Sequence, residues 1–190
     1  LLTPVVKSFF TERGFQLASD ALQVFGGYGY VHEYRIEQIL RDSRIAMIYE
    51  GTNQIQALDL LQRKVLSGPD GLAPLLEVFA AEAALPSAHA ASLQSWCDTL
   101  AQATHALAQD AAQDAELPAR AAEDYLRLVG TVALAYTWCR AARVAQALDP
   151  AHPAHTQKRE GARYFFDYVL PGAAHWLRLV QAARHPVAPV

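Results

Sequence analysis

The residues Tyr49-Glu50-Gly51-Thr52 place a carboxylate where a stretch with helical apolar spacing comes to its end. A carboxylate at the C-terminal end of a helix faces the negative pole of the helix dipole, so it is either solvated or kept there for a task. The residues alone favour the solvated interpretation and do not name a reaction.

The other residues that could do chemistry form weaker patterns. His152 and His155 lie in a proline-rich break without an acidic or cysteine neighbour, so we expect no metal site. The glycines at 26–29 do not follow a strand, which removes the physical basis of a Rossmann dinucleotide site. Cys97 and Cys139 are too far apart for a disulfide framework, and we expect both to be small buried residues on helices.

The bulk composition excludes several classes of protein. An apolar fraction of 52% in 190 residues can supply a packed core, and the net charge of −3 offers no basic surface for nucleic acid. No apolar run reaches the length of a membrane span, and the first residues lack the order of a secretory signal. We therefore expect a cytoplasmic protein. The chain opens with Leu1 rather than Met, which leads us to expect a piece of a longer polypeptide.

The apolar spacing predicts an all-α fold, because no stretch keeps the strict alternation of a half-buried strand. In the first helix, Phe10, Leu17, Ala21 and Phe25 recur at intervals of seven and four residues. A loop is predicted for GGYGYVHEY, and Thr52 or Asn53 is expected to cap the third helix, whose inner face would carry Ile55, Leu58, Leu61 and Val65. The other predicted helices span about 4–25, 35–47, 72–84, 88–114, 119–148 and 155–184.

A change to alanine-rich composition after 67–71 predicts a division of the chain. Residues 1–67 would form one helical unit, and residues 72–190 an up-down four-helix bundle. Pro171 falls inside the last helical pattern and predicts a kink there, because proline removes a backbone hydrogen bond. The large aromatic residues of this unit are expected to fill its core: Trp96, Tyr125, Trp138, Phe165 and Trp176.

Two motifs carry a resemblance to a known family. The segment 18–66, anchored by QVFGGYGY and RDSRIAMIYEGTNQIQ, resembles the last part of the catalytic core of acyl-CoA dehydrogenases. Ala57, where many members carry Arg, and the long helical extension resemble the larger bacterial members, which include methylmercaptopropionyl-CoA dehydrogenases. The resemblance implies the C-terminal part of that family's helical bundle followed by an extension.

The resemblance also implies a reaction, the α,β-dehydrogenation of an acyl-CoA thioester by an FAD enzyme. Glu50 matches the family's base, which removes the α-proton while the β-hydrogen leaves as hydride to the flavin. The backbone N–H of this Glu and a flavin hydroxyl would polarise the thioester oxygen.

Five further positions match the family's flavin contacts. Gln23, Gly26 and Gly27 fall where a loop meets the flavin pyrophosphate of a neighbouring subunit. Thr52 and Gln54 match contacts to the flavin dinucleotide beside the base. A plain interhelical turn is the alternative for the two glycines.

Tyr49 and Gly51 match positions that line the acyl-CoA cavity, with core packing as the alternative for Tyr49. The family implies electron-transfer flavoprotein as electron acceptor and a homodimer or dimer of dimers. The chain by itself is expected to be inactive, because the family's flavin lies against further domains. An acyl-CoA oxidase and a non-catalytic helical assembly module remain alternatives.

Overall fold

The structure, a computed structural model, describes residues 1–185, and its regular elements in that range are all helical. This confirms the all-α prediction. No helix in the described range has the length and apolar character to cross a lipid bilayer. The α-helices are α1 (Leu2–Phe25), α2 (Gly27–Tyr30), α3 (Ile36–Ile45), α4 (Asn53–Leu58), α5 (Ala73–Ala83), α6 (Ala90–Ala111), α7 (Leu117–Gln146), α8 (Pro153–Tyr164) and α9 (Ala173–Ala183).

Helix α7 is the central element, and α1, α4, α5, α6, α8 and α9 all pack against it. Tyr125, Leu128, Val132 and Cys139 are fully buried along its length, as expected of a helix with neighbours on several sides. Gly130 lets α1 come close, because a Cβ atom there would lie 2.6 Å from the Phe9 ring. The small residue on α7 therefore sets the distance between the two helices.

The core is shared between the two units that the composition predicts. Val5 and Phe9 of α1 and Leu61 after α4 belong to the same buried cluster as Leu128 of α7. Burying a side chain such as Phe9 contributes about 2 kcal/mol. The division at 67–71 and the up-down order of the bundle stay predictions, and residues 186–190 of that unit lie outside the described range.

The inner face predicted for the third helix is confirmed only in part. A π-helical segment, Asp59–Leu66, continues α4, and Leu61 and Val65 are buried as predicted. Ile55 is 58% exposed, however, and Leu60 is buried in addition. Asn53 and Ala57, four residues apart, form the buried face of α4, so Ile55 between them lies on the opposite side of the helix.

The predicted loop 26–34 is a run of short helical turns. Helix α2 follows Gly26, and a 3-10 turn, His32–Tyr34, leads into Arg35, whose φ is 58°. Helix α3 therefore begins at Ile36, one residue after the predicted start.

The predicted break near Pro171 is confirmed. A π-helical turn, Phe165–Val169, and a 3-10 turn, Leu170–Gly172, separate α8 from α9. Tyr125 and Phe165 are buried in the core, and the three tryptophans pack against it while partly exposed.

Both cysteines are buried and free, as predicted.

Candidate active site

The turn between α3 and α4 carries Glu50 in an uncommon backbone conformation. Glu50 has φ of 54° and Gly51 has φ of 84°, so two successive residues are left-handed. Glycine takes this conformation without penalty, but a residue with a Cβ loses roughly 1–2 kcal/mol. Strain of this kind persists only where surrounding contacts impose it, and it is concentrated at functional sites.

Two side chains hold the carbonyl oxygens of this turn. The ammonium of Lys7 donates to the Gly51 oxygen at 2.5 Å, and the amide of Gln56 donates to the Glu50 oxygen at 3.2 Å. These bonds fix two successive peptide planes, so the Cα of Glu50 is held from its C-terminal side. A hydrogen bond to a charged donor contributes about 1.5–3 kcal/mol, enough to offset the strain at Glu50.

Asn53 anchors the turn to α1. Its side-chain nitrogen donates to the Ser8 oxygen at 3.2 Å, and its Oδ1 accepts from Lys7 and Thr11, each at 3.3 Å. Its backbone N–H donates to the Met47 oxygen across the turn. The side chain is buried and all its polar atoms are satisfied, so it ties the turn to the helix at one defined distance.

The predicted cap of α4 is Thr52, whose hydroxyl accepts from the Ile55 N–H at 3.4 Å. Gln54 in the first turn of the helix is exposed. Asn53, the other candidate cap, instead points inward to α1.

The outer face of the turn is open to a ligand. The Glu50 carboxylate is exposed and Tyr49 is 51% exposed. The Glu50 N–H donates to no acceptor within residues 1–185. On the inner side, a cavity lined by Met47 and Asn53 holds only about 50 Å³, well below the roughly 300 Å³ of a ligand pocket. The inner side of the turn therefore has no room for a ligand of that size.

The remaining predicted cofactor residues lie at the other end of α1. Gln23 is exposed in its last turn, and Gly26 ends the helix with φ of 61°. A Cβ at Gly26 or Gly27 would meet nothing within 4 Å, so a ligand can reach the backbone there. Lys7 and Gln23 are 16 positions apart in α1, which is about 24 Å along the helix axis. Within one chain, Gln23, Gly26 and Gly27 therefore lie far from Glu50.

Gly29, in the same motif, has a structural role. A Cβ there would lie 2.6 Å from the Leu22 oxygen and 2.8 Å from the Phe25 Cβ. The sequence did not distinguish it from Gly26 and Gly27, since close approach between elements is not visible in the chain.

Lys7 and Asn53 were not predicted as site residues. The one signal for Lys7 is a lone cation in the apolar start of α1, LLTPVVKSFF. Asn53 gave no signal beyond its capping preference.

Comparison with protein families decides what this turn belongs to. Residues 2–65 match a model described as acyl-CoA dehydrogenase, C-terminal domain, and residues 72–189 match one described as acetyl-CoA dehydrogenase C-terminal like. The chain belongs to the acyl-CoA dehydrogenase family. The resemblance carried by the two motifs is thereby confirmed.

Curated acyl-CoA dehydrogenases provide individual comparisons. The 3-methylmercaptopropionyl-CoA dehydrogenase of Ruegeria pomeroyi is 37% identical over 154 residues, which cover 77% of this chain and 26% of that protein. An acyl-CoA dehydrogenase of Bacillus subtilis is 42% identical over 64 residues, or 34% of this chain and 17% of that protein. The cyclohexane-1-carbonyl-CoA dehydrogenase of Geobacter metallireducens is 43% identical over 65 residues, with the same two coverages. The chain spans about a quarter or less of the length of these relatives.

Proposed function

We propose that this chain is part of an FAD-dependent acyl-CoA dehydrogenase that converts an acyl-CoA thioester to the trans-2-enoyl-CoA, with Glu50 as the base. The observation that carries the proposal is the left-handed turn at Glu50, an exposed residue whose N–H donates to no acceptor within residues 1–185. Family membership supplies the reaction class.

The chain's own part in the reaction is proton transfer and polarisation. The Glu50 carboxylate accepts the α-proton, and the electron pair of that C–H bond moves into the forming double bond as the β-hydrogen leaves with its own pair. The Glu50 N–H donates to the thioester oxygen, where negative charge develops as the proton leaves. FAD, when bound, supplies the acceptor for the β-hydride. Tyr49 and Gly51 flank the base and line the acyl-CoA cavity in this proposal.

The residues present fit FAD at two separate places. Gln23, Gly26 and Gly27 border open backbone that an anion can approach, and Thr52 and Gln54 flank the base. The separation of about 24 Å along α1 supports the proposal that these sets serve different cofactors, one in each of two subunits. A homodimer or a dimer of dimers follows from that arrangement.

The substrate and the electron acceptor remain parts of the proposal. Relatives named for 3-methylmercaptopropionyl-CoA and cyclohexane-1-carbonyl-CoA favour an acyl-CoA substrate without choosing its acyl group. We propose electron-transfer flavoprotein as acceptor and the cytoplasm as location. Peroxide formation by the full-length enzyme in air, at the rate of turnover, would instead assign it as an oxidase.

The test is anaerobic flavin reduction in the full-length protein by a panel of acyl-CoA thioesters. Wild type is expected to lose its flavin absorbance with at least one thioester, and Glu50→Gln to lose the reaction while keeping the flavin. Glu77→Gln is the matched control, because Glu77 is an exposed carboxylate on α5. Normal reduction by Glu50→Gln would remove Glu50 as the base, and no reduction of wild type by any thioester would overturn the proposed reaction.

A further inference from the structure

Lys7 is a half-buried cation without a charged partner. It lies on α1 among the buried residues Pro4, Val5 and Ser8, and it forms no ion pair with any of residues 1–185. Removing an ammonium from water is costly unless strong acceptors replace its hydration. A neutral side chain would avoid that cost, so packing alone does not explain a lysine here.

The acceptors that replace water both belong to the turn that carries Glu50. Nζ donates to the Gly51 oxygen at 2.5 Å and to Asn53 Oδ1 at 3.3 Å. Bonds from a charged donor are stronger than those between neutral groups, and they hold the acceptor's direction more firmly. The favourable interactions of the ammonium are thus directed at the backbone immediately after Glu50.

This contact controls a conformation that Glu50 does not prefer. With the Gly51 oxygen held by Lys7 and the Glu50 oxygen held by Gln56, the peptide planes on both sides of Gly51 are fixed. Without the ammonium, the Gly51 oxygen loses its donor, and Glu50 is free to leave the left-handed region. Its carboxylate and N–H would then point in a range of directions instead of one.

We propose that Lys7 is a positioning residue for the dehydrogenation, which holds the turn so that the carboxylate and the N–H of Glu50 face the substrate together. The inference rests on the proposed function. Because Lys7 acts through the Gly51 carbonyl, its loss should slow the chemical step and leave acyl-CoA binding nearly unchanged.

The test compares full-length, flavin-loaded Lys7→Met, Lys7→Arg and Lys158→Met with wild type. Methionine keeps the apolar stem of lysine and removes the ammonium, and arginine restores a cation with donors. Lys158 is the control, since it lies on α8 over the Trp138 ring and makes no contact with the turn. We expect Lys7→Met to reduce the rate of anaerobic flavin reduction about tenfold or more, with the substrate Kd within about twofold. Lys7→Arg should recover part of the rate, and Lys158→Met should match wild type.

A second measurement separates positioning from general loss of stability. Hydrogen exchange of the amides of 50–52 should be faster in Lys7→Met than in Lys158→Met, while the amides of α7 remain equally protected in both. The inference would be overturned if Lys7→Met reduced its flavin at the wild-type rate. It would also be overturned if hydrogen exchange in Lys7→Met were faster throughout the protein. If Lys7→Met does not fold, Lys7→Gln takes its place with the same two outcomes. The proposed function is tested separately, by flavin reduction in the wild-type protein and by the loss of that reaction in Glu50→Gln.

Discussion

The side-chain nitrogen of Asn53 lies 3.2 Å from the Ser8 carbonyl oxygen, which binds the turn after Glu50 to the first helix of the chain. The bond joins positions 45 residues apart in sequence. It also engages a carbonyl that is part of α1, so the turn is joined directly to the helix backbone.

Replacing Asn53 by Ala should therefore destabilise the protein by about 2 kcal/mol, because several buried polar groups lose their partner. Thermal unfolding of the full-length protein measures the effect. Gln102→Ala is the control, since Gln102 is an exposed residue of α6 and this variant should stay within about 0.5 kcal/mol of wild type. Equal melting temperatures for the two variants would contradict the anchoring role.

Gly130→Ala should destabilise the contact between α1 and α7. The added Cβ would lie 2.6 Å from the Phe9 ring, and overpacking of this kind costs about 1–3 kcal/mol. Gly14→Ala, in α1, should have the opposite sign and stabilise by up to about 1 kcal/mol, because a Cβ there meets nothing within 4 Å. Denaturant unfolding of both variants checks the two signs. A stabilising Gly130→Ala would show that α1 packs differently.

The ion pair between Glu82 and Arg143 predicts unequal costs for its two partners. The Glu82 side chain is 6% exposed and that of Arg143 is 30% exposed. Arg143→Met leaves a buried carboxylate unpaired, at a cost of about 3 kcal/mol, whereas Glu82→Gln leaves the arginine near water and should cost less. Thermal unfolding of the two single variants and the double variant shows which substitution loses more stability. A larger loss for Glu82→Gln would refute the burial argument.

Cys97 should resist alkylation in the folded protein. Burial raises the pKa of its thiol to about 11, so about one molecule in a thousand carries the reactive thiolate at pH 8. Reactivity should increase as the pH rises toward that pKa, and it should appear at once when denaturant exposes the thiol. Mass spectrometry after iodoacetamide treatment measures it. Rapid modification of Cys97 at pH 8 without denaturant would contradict its burial.

The helical nature of the chain was predictable because apolar spacing reports directly on helix periodicity. The break at Pro171 was predictable for a similarly local reason, since proline cannot donate the bond that an α-helix needs. Thr52 as a cap also followed from its own side chain. These features depend on residues within one or two helical turns, and so they can be inferred from the sequence.

The inner face of α4 was predicted less well. Ile55 was expected inside and is exposed, because α4 turns Asn53 and Ala57 inward against the rest of the protein and Ile55 lies on the opposite side. Gly29 and Gly130 show the same limit, since each is required by an element that approaches it from elsewhere.

The sequence by itself determined the helices, their main breaks and, through its motifs, the family and Glu50 as the candidate base. Only the tertiary structure decided how Glu50 is held. Lys7 and Asn53 act on that turn across 44 and 45 residues of chain, and the left-handed backbone at Glu50 follows from those contacts. Sequence patterns report on neighbours along the chain, whereas a strained turn persists only through groups that folding brings to it.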